Sequence, residues 1–149
     1  MKQYIGTKII QAEPAFRIDG GIYSPDEPLP KGTDVEEGYR VRYPDGYESW
    51  SPKDVFEEAY RPTDAMTFGL AIEAAKNGKR IARKGWNGKN QYVELATCIS
   101  YTSAAGETVN AEHAAIGNRC LAFVGTSGVQ MGWLASQADI LADDWMIVV

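Results

Sequence analysis

One histidine, His113, and two cysteines, Cys98 and Cys120, are all that 149 residues offer to a nitrogen- or sulfur-ligated metal. A zinc site built on two histidines is therefore excluded, and these three residues share no metal-ligand spacing. Ser/His/Asp catalysis could be assembled only around His113, which lies in an Ala-rich stretch with no nucleophile elbow nearby. There is no phosphate-loop motif and no Gly-x-Gly-x-x-Gly behind a strand. No apolar run approaches the roughly 20 residues that span a bilayer. The start of the chain, Met1 to Gly6, lacks the apolar core of a secretory signal. Both cysteines fall on segments that read as strands, and in a chain without an export signal they are expected as buried thiols rather than a disulfide. The expected location is cytoplasmic, with no cofactor, no metal and no enzyme chemistry.

Charge narrows the partners. The net charge of −5 opposes general affinity for a nucleic-acid polymer, whose binding depends on phosphate neutralisation. Residues 1–62 carry 8 Lys/Arg against 12 Asp/Glu, and residues 63–149 carry 7 against 8. Six of those seven cations fall between Lys76 and Lys89, and no acid interrupts Ala74 to Val93. A local basic patch on an acidic protein suits a small anion. Lys76 and Lys79 also fit a plain role beside a helix C-terminus, where cations offset the dipole.

Periodicity divides the chain in two. Tyr4 to Ala12 reads as a strand, and residues 13–37, with four prolines and Gly20-Gly21, read as a long loop. Gly38 to Tyr43 and Tyr47 to Trp50 alternate on either side of Pro44-Asp45-Gly46, which is a β-hairpin pattern. Ser51 is placed to cap a short helix with Pro52 in its first turn, and Val55, Phe56, Ala59 and Tyr60 form its apolar stripe. Residues 1–62 thus read as a small α+β module, joined through 63–66 to a second domain. There Thr67 is an N-cap for a helix with Phe68, Ala71, Ile72 and Ala75 on one face, stopped at Asn77-Gly78. Strands are expected at Arg80–Arg83, Gln91–Thr102, Arg119–Val124, Val129–Leu134 and Trp145–Val149. Residues 103–118 read as a loop or extension, and Ser136 as the cap of a one-turn helix over Gln137–Ala142. The expected fold class is α+β: a hairpin-plus-helix module, then one helix packed on a four- to five-stranded, mostly antiparallel sheet.

The densest chemistry lies in Arg83-Lys84-Gly85-Trp86-Asn87-Gly88-Lys89. Three cations can meet phosphate oxygens, an indole offers a stacking face, an amide can pair with a base edge or ribose hydroxyl, and two glycines allow close approach. The segment holds no nucleophile and no general base, so it reads as a binding loop. Trp86, flanked by glycine, asparagine and lysine, follows no apolar periodicity. Trp145, at the head of an apolar run, reads as core, Trp133 fits either core or ligand, and Phe68 fits core or a helix-start site. Asp143-Asp144 reads as a turn terminus or as a weak cation site.

Residues 66–149 resemble the second type of Thoeris anti-defence protein of phages. The resemblance rests on Met66 through Lys79, then Arg83 through Lys89, and on the closing run from Gly132-Trp133-Leu134 to Asp143-Asp144-Trp145. It implies a sponge that binds a TIR-derived glycocyclic ADP-ribose signal without cleaving it, in the cytoplasm of the infected bacterial host. It also implies homotetramers with pockets between protomers, some of which hold cyclic dinucleotides at the same or separate sites. On that pattern Trp86 and Phe68 would supply stacking faces and Trp133 would close the pocket. Arg83 and Lys84 would face the pyrophosphate, and Asn87, Gln137 and Asp143 would bond base or ribose groups. Ala135 stands where that family usually has proline, the 103–118 loop is longer than in compact members, and residues 1–62 are an addition. The competing readings are an enzyme that degrades such a signal and a structural or protein-interaction module without ligand.

Overall fold

In the computed structural model, which describes residues 1–31, 34–86, 90–110 and 119–149, the chain divides between Arg61 and Pro62 into two units. The first holds β1 (Gln11–Ile18), β2 (Gly21–Tyr23), β3 (Val35–Arg42), β4 (Glu48–Pro52) and α1 (Lys53–Ala59), with an antiparallel sheet in the order β2-β1-β3-β4. Its buried anchors are Ala15, Ile18 and Val41. Trp50 lies across Gly38 so closely that a Cβ there would sit in the indole ring and against the Ser51 carbonyl, and its Nε1 donates to the Ala15 carbonyl at 3.3 Å. The β3–β4 hairpin turns at Pro44-Asp45-Gly46 as expected, with Gly46 at φ 89° and the Tyr43 amide donating to the Tyr47 carbonyl at 2.8 Å.

Three local expectations in this unit are overturned. The strand lies at Gln11–Ile18 and not at Tyr4–Ala12, and the supposed loop 13–37 contains most of β1, all of β2 and the start of β3. Pro14 misled that reading. It sits opposite Tyr39 on the part of β1 that β2 does not reach, where a proline is tolerated. Ser51 caps nothing: it and Pro52 belong to β4, paired with Tyr39 and Gly38, because a strand ladder satisfies more backbone than a cap would. Of the α1 stripe, Phe56 stacks on Tyr39 at 4.1 Å and Tyr60 at 5.0 Å, while Val55 is 58% exposed.

The second unit holds α2 (Phe68–Lys76), β5 (Arg80–Arg83), β6 (Tyr92–Ala96), β7 (Ser100–Thr102), β8 (Thr108–Asn110), β9 (Cys120–Gly125), β10 (Gly128–Met131), α3 (Gln137–Ile140) and β11 (Trp145–Val148). Thr67 caps α2 by accepting from the Leu70 amide at 3.3 Å. At the other end Gly78 (φ 81°) turns the chain, its amide donating to the Ala75 carbonyl and that of Lys79 to the Ala74 carbonyl, which is a Schellman closure. The five-stranded antiparallel sheet runs β10-β9-β6-β5-β11. Val93 pairs with Ile81 and Phe123, and Ile81 with Ile147, so one row of apolar side chains crosses the sheet on one face. Ala71, Ala74 and Ala75 of α2 pack there with Met66, Ile81, Val93 and Trp145. Three alanines let the helix approach closely enough to bury an indole. The protein is an α+β fold.

Here too the structure refines the reading. Residues 63–66 are more than a joint, because Met66 exchanges backbone hydrogen bonds with Trp145 and the Ile147 amide donates to the Thr63 carbonyl, which covers the outer edge of β11. The single strand expected over Gln91–Thr102 breaks at residues 97–99 into β6 and β7. β7 then pairs with β8 as a separate hairpin around Gly106, whose turn and second strand lie in the segment read as a loop or extension. Cys98 lies off the strands and exposed, Cys120 is half-buried, and both are free thiols. His113 lies outside the described residues.

Candidate ligand site

Four loops and helix ends of the second unit bring aromatic rings to one place. Trp86 follows β5 in a turn closed by its amide on the Arg83 carbonyl at 3.3 Å. Trp133 follows β10, where Gly132 (φ 75°) swings the chain so that the amides of Gly132 and Trp133 both donate to the Leu121 carbonyl, at 3.0 and 2.9 Å. Trp145 opens β11, and Phe68 is the first residue of α2. Ring centroids of Trp86 lie 5.4 Å from Phe123, 5.9 Å from Trp133 and 5.4 Å from Trp145, all edge-to-face. Trp133 lies 6.3 Å from Phe123 and 6.2 Å from Trp145, and Phe68 lies 5.4 Å from Trp145. These are favourable geometries for ring quadrupoles. Trp145 is fully buried, with its Nε1 donating to the Asp139 carbonyl at 2.8 Å. Trp86, Trp133, Phe68 and Phe123 keep part of their surface in solvent, so the cluster has a buried base and an open rim.

The cations of the 76–89 run are less free than the sequence implies. Lys76 pairs with Glu73 at 3.1 Å, and Arg80 lies over the Tyr92 ring at 4.5 Å and pairs with Glu94 at 3.5 Å. Arg83, expected to face a pyrophosphate, is engaged by two carboxylates. Its Nε and Nη2 donate to Asp144 at 2.9 and 3.4 Å, and its Nη1 donates to Asp139 at 3.0 Å. Hydrogen bonds to Asp144, then to Asp139, raise the Arg83 pKa further above its ordinary value. For Asp139, burial acts to raise the carboxyl pKa, but hydrogen bonds from Arg83 and Ser136 outweigh it and the group titrates below its ordinary range. Asp144, read beside Asp143 as part of a weak cation site, thus serves Arg83. Among the described residues neither Lys79 nor Lys84 has an acid within ion-pair distance, and both are exposed.

The expected site residues fall into three groups. Phe68, Trp86 and Trp133 converge through Trp145. Arg83 and Lys84 stand at the end of β5, beside the α3–β11 corner, with the Lys84 amide on the Asp144 carbonyl at 3.2 Å. Gln137, at the start of α3, and Asp143, just before β11, are exposed on that same segment. Asn87 lies outside the described residues. Sequence reasoning missed Phe123, whose signal was only its place among strand residues. It also missed Asp139 and Asp144 as partners of Arg83, for which no local signal exists.

Residues 66–148 match the family model of the Thoeris anti-defense 2-like domain. That is more than half of the chain and includes every ring of the cluster. The chain belongs to this family. One relative is Thoeris anti-defense 2 of Bacillus phage SP01, 38% identical over 88 residues, covering 56% of this chain and 94% of that protein. The family assignment carries an anti-defence role against Thoeris, and it lies within the second unit. Among the described residues no helix is long and apolar enough to cross a membrane.

Proposed function

We propose that the second unit binds and sequesters a cyclic nucleotide immune signal, glycocyclic ADP-ribose, without cleaving it, and so keeps the Thoeris effector inactive in the host cytoplasm. The half-exposed rim of Trp86, Trp133 and Phe68 over the buried Trp145 is the observation that carries this reading. A purine laid on such a rim gains about 1–3 kcal/mol per stacked base. Of the two cations expected at the pyrophosphate, Lys84 is the one without a paired acid among the described residues, and Asn87, Gln137 and Asp143 are the polar groups for base and ribose. A sponge for a dilute signal needs nanomolar affinity, about −12 kcal/mol. Stacking and a few charge-assisted bonds reach that only in a closed pocket.

A second copy of the chain supplies the closure in this reading. Leu134, next to Trp133, is 88% exposed, and Leu141, at the end of α3, is 75% exposed. Val129 and Met131 of β10 are also exposed. Exposed large apolar side chains on the unit that carries the rim support a homo-oligomer, a tetramer on the family pattern, with ligand held between protomers.

The test mixes purified protein with TIR-generated glycocyclic ADP-ribose, measures free ligand after filtration, and then heat-denatures the protein and assays the released nucleotide. Depletion followed by recovery of intact ligand is expected. Altered nucleotide on release makes the protein an enzyme, and no depletion overturns the reading. A parallel arm with cyclic dinucleotides decides whether they compete for the same site or add to it.

A further inference from the structure

The Arg83 guanidinium joins the end of β5 to α3 through Asp139 and to the start of β11 through Asp144. We infer that Arg83 is a positioning residue for the aromatic rim and not a phosphate ligand: the Arg83–Asp139–Asp144 triad fixes the α3–β11 corner and thereby Trp145, the ring on which Trp86, Trp133 and Phe68 rest. This rests on the proposed ligand-binding role of that rim and corrects the part Arg83 plays in it.

Three observations converge. One guanidinium faces two carboxylates, so the formal charge of the triad is negative and an approaching phosphate meets two acids as well as one cation. Each acid is also anchored by a second bond, Asp139 through its carboxylate and Asp144 through its backbone. The second oxygen of Asp139 accepts from the Ser136 amide at 3.2 Å, while Ser136 Oγ accepts from the Asp139 amide at 3.1 Å, a capping box that seats α3. The Asp144 carbonyl accepts from the Lys84 amide, and Arg83 is the register partner of Trp145 across β5 and β11. Finally, the residue that grips Arg83 with its side chain grips the indole with its backbone: the Asp139 carbonyl takes the Trp145 Nε1 proton at 2.8 Å. A displacement of α3 therefore moves the acceptor that orients Trp145, and the three rim rings lie 5.4 to 6.2 Å from that indole.

The two roles predict opposite signs. If Arg83 were a phosphate ligand, Asp144→Asn would remove a competing acid and hold or tighten nucleotide binding. As a positioning residue, Arg83 requires both carboxylates. Asp144→Asn and Arg83→Lys, whose ammonium cannot fork onto one acid while reaching the other, are each expected to weaken glycocyclic ADP-ribose binding about tenfold or more. They are also expected to change the near-ultraviolet circular dichroism of the free protein while its far-ultraviolet spectrum holds. Lys76→Gln, which breaks an exposed pair on α2, is the control and should alter neither. Asp139→Asn provides a second carboxylate variant should Asp144→Asn fail to fold. Affinity held or improved in the carboxylate variants overturns the inference, and so does an unchanged near-ultraviolet spectrum. Should the wild-type protein bind no ligand, the proposed function fails, and the spectrum of the free protein still decides whether the triad sets the rings.

Discussion

Replacing Trp86 by alanine removes a ring that meets three others edge-to-face, at 5.4, 5.9 and 5.4 Å. Each such pair contributes about 0.5–1.5 kcal/mol beyond burial, and truncating a fully buried aromatic to alanine costs about 3–5 kcal/mol. Trp86 is only half-buried, so a loss of about 2–3 kcal/mol follows for the second unit. In a unit of that size each kcal/mol moves Tm by about 4–8 °C, so the transition should fall by roughly 10–20 °C. The ligand effect is separate. Losing one stacking face costs about 1–3 kcal/mol, which is roughly 5- to 150-fold in Kd. Calorimetry measures both quantities, as a thermal scan of the free protein and as a titration with glycocyclic ADP-ribose at 20 °C, where the variant remains folded. A Tm within 2 °C of wild type would refute the packing argument, and an unchanged Kd would refute the stacking one.

Three further outcomes follow from other parts of the chain. Gly38→Ala puts a methyl into the Trp50 ring and the Ser51 carbonyl, and should cost the first unit about 1–3 kcal/mol in denaturant unfolding, with a shift in Trp50 emission; retention of wild-type stability would show that the indole does not lie across the strand. Thr67→Ala removes the side-chain cap of α2 and should destabilise by about 1 kcal/mol, whereas Thr67→Ser should recover most of it; equal losses in the two would sink the capping account. Asp139 titrates below its ordinary value of 3.8, so its pairing contributes stability above that value and loses it as pH falls through the lower, folded-state pKa. The near-ultraviolet signal of the tryptophans should therefore hold from pH 7 to about 4 and decline below. Asp139→Asn should lack that acid limb, and identical acid profiles in the two proteins would contradict it.

The elements legible in the sequence are those specified by neighbours. Thr67 and Asn77-Gly78 bracket α2, Pro44-Asp45-Gly46 marks a hairpin, and Ser136 starts α3, each by a signal complete within a few residues. The reading failed where a local signal pointed one way and pairing partners decided the other. Pro14 suggested a loop, but eight residues of β1 pair with β3. Ser51-Pro52 suggested a helix start, but β3 takes both into its ladder. The continuous apolar pattern of Gln91–Thr102 hid the break after Ala96, where β9 stops pairing.

The candidate site divides along the same line. Composition and motif alone marked Arg83–Lys89 as a candidate binding loop without nucleophile or base, and the family resemblance added Trp86 and Phe68 as expected stacking faces with Trp133 as the expected closure. The tertiary structure decided what those rings rest on and which cations remain available. Arg83 and its partners Asp139 and Asp144 are 56 and 61 residues apart, and only the pairing of β5 with β11 brings them within hydrogen-bond reach. Side-chain chemistry is written in each residue, but the partner of a charge is fixed by strand register, and register is a property of the folded sheet.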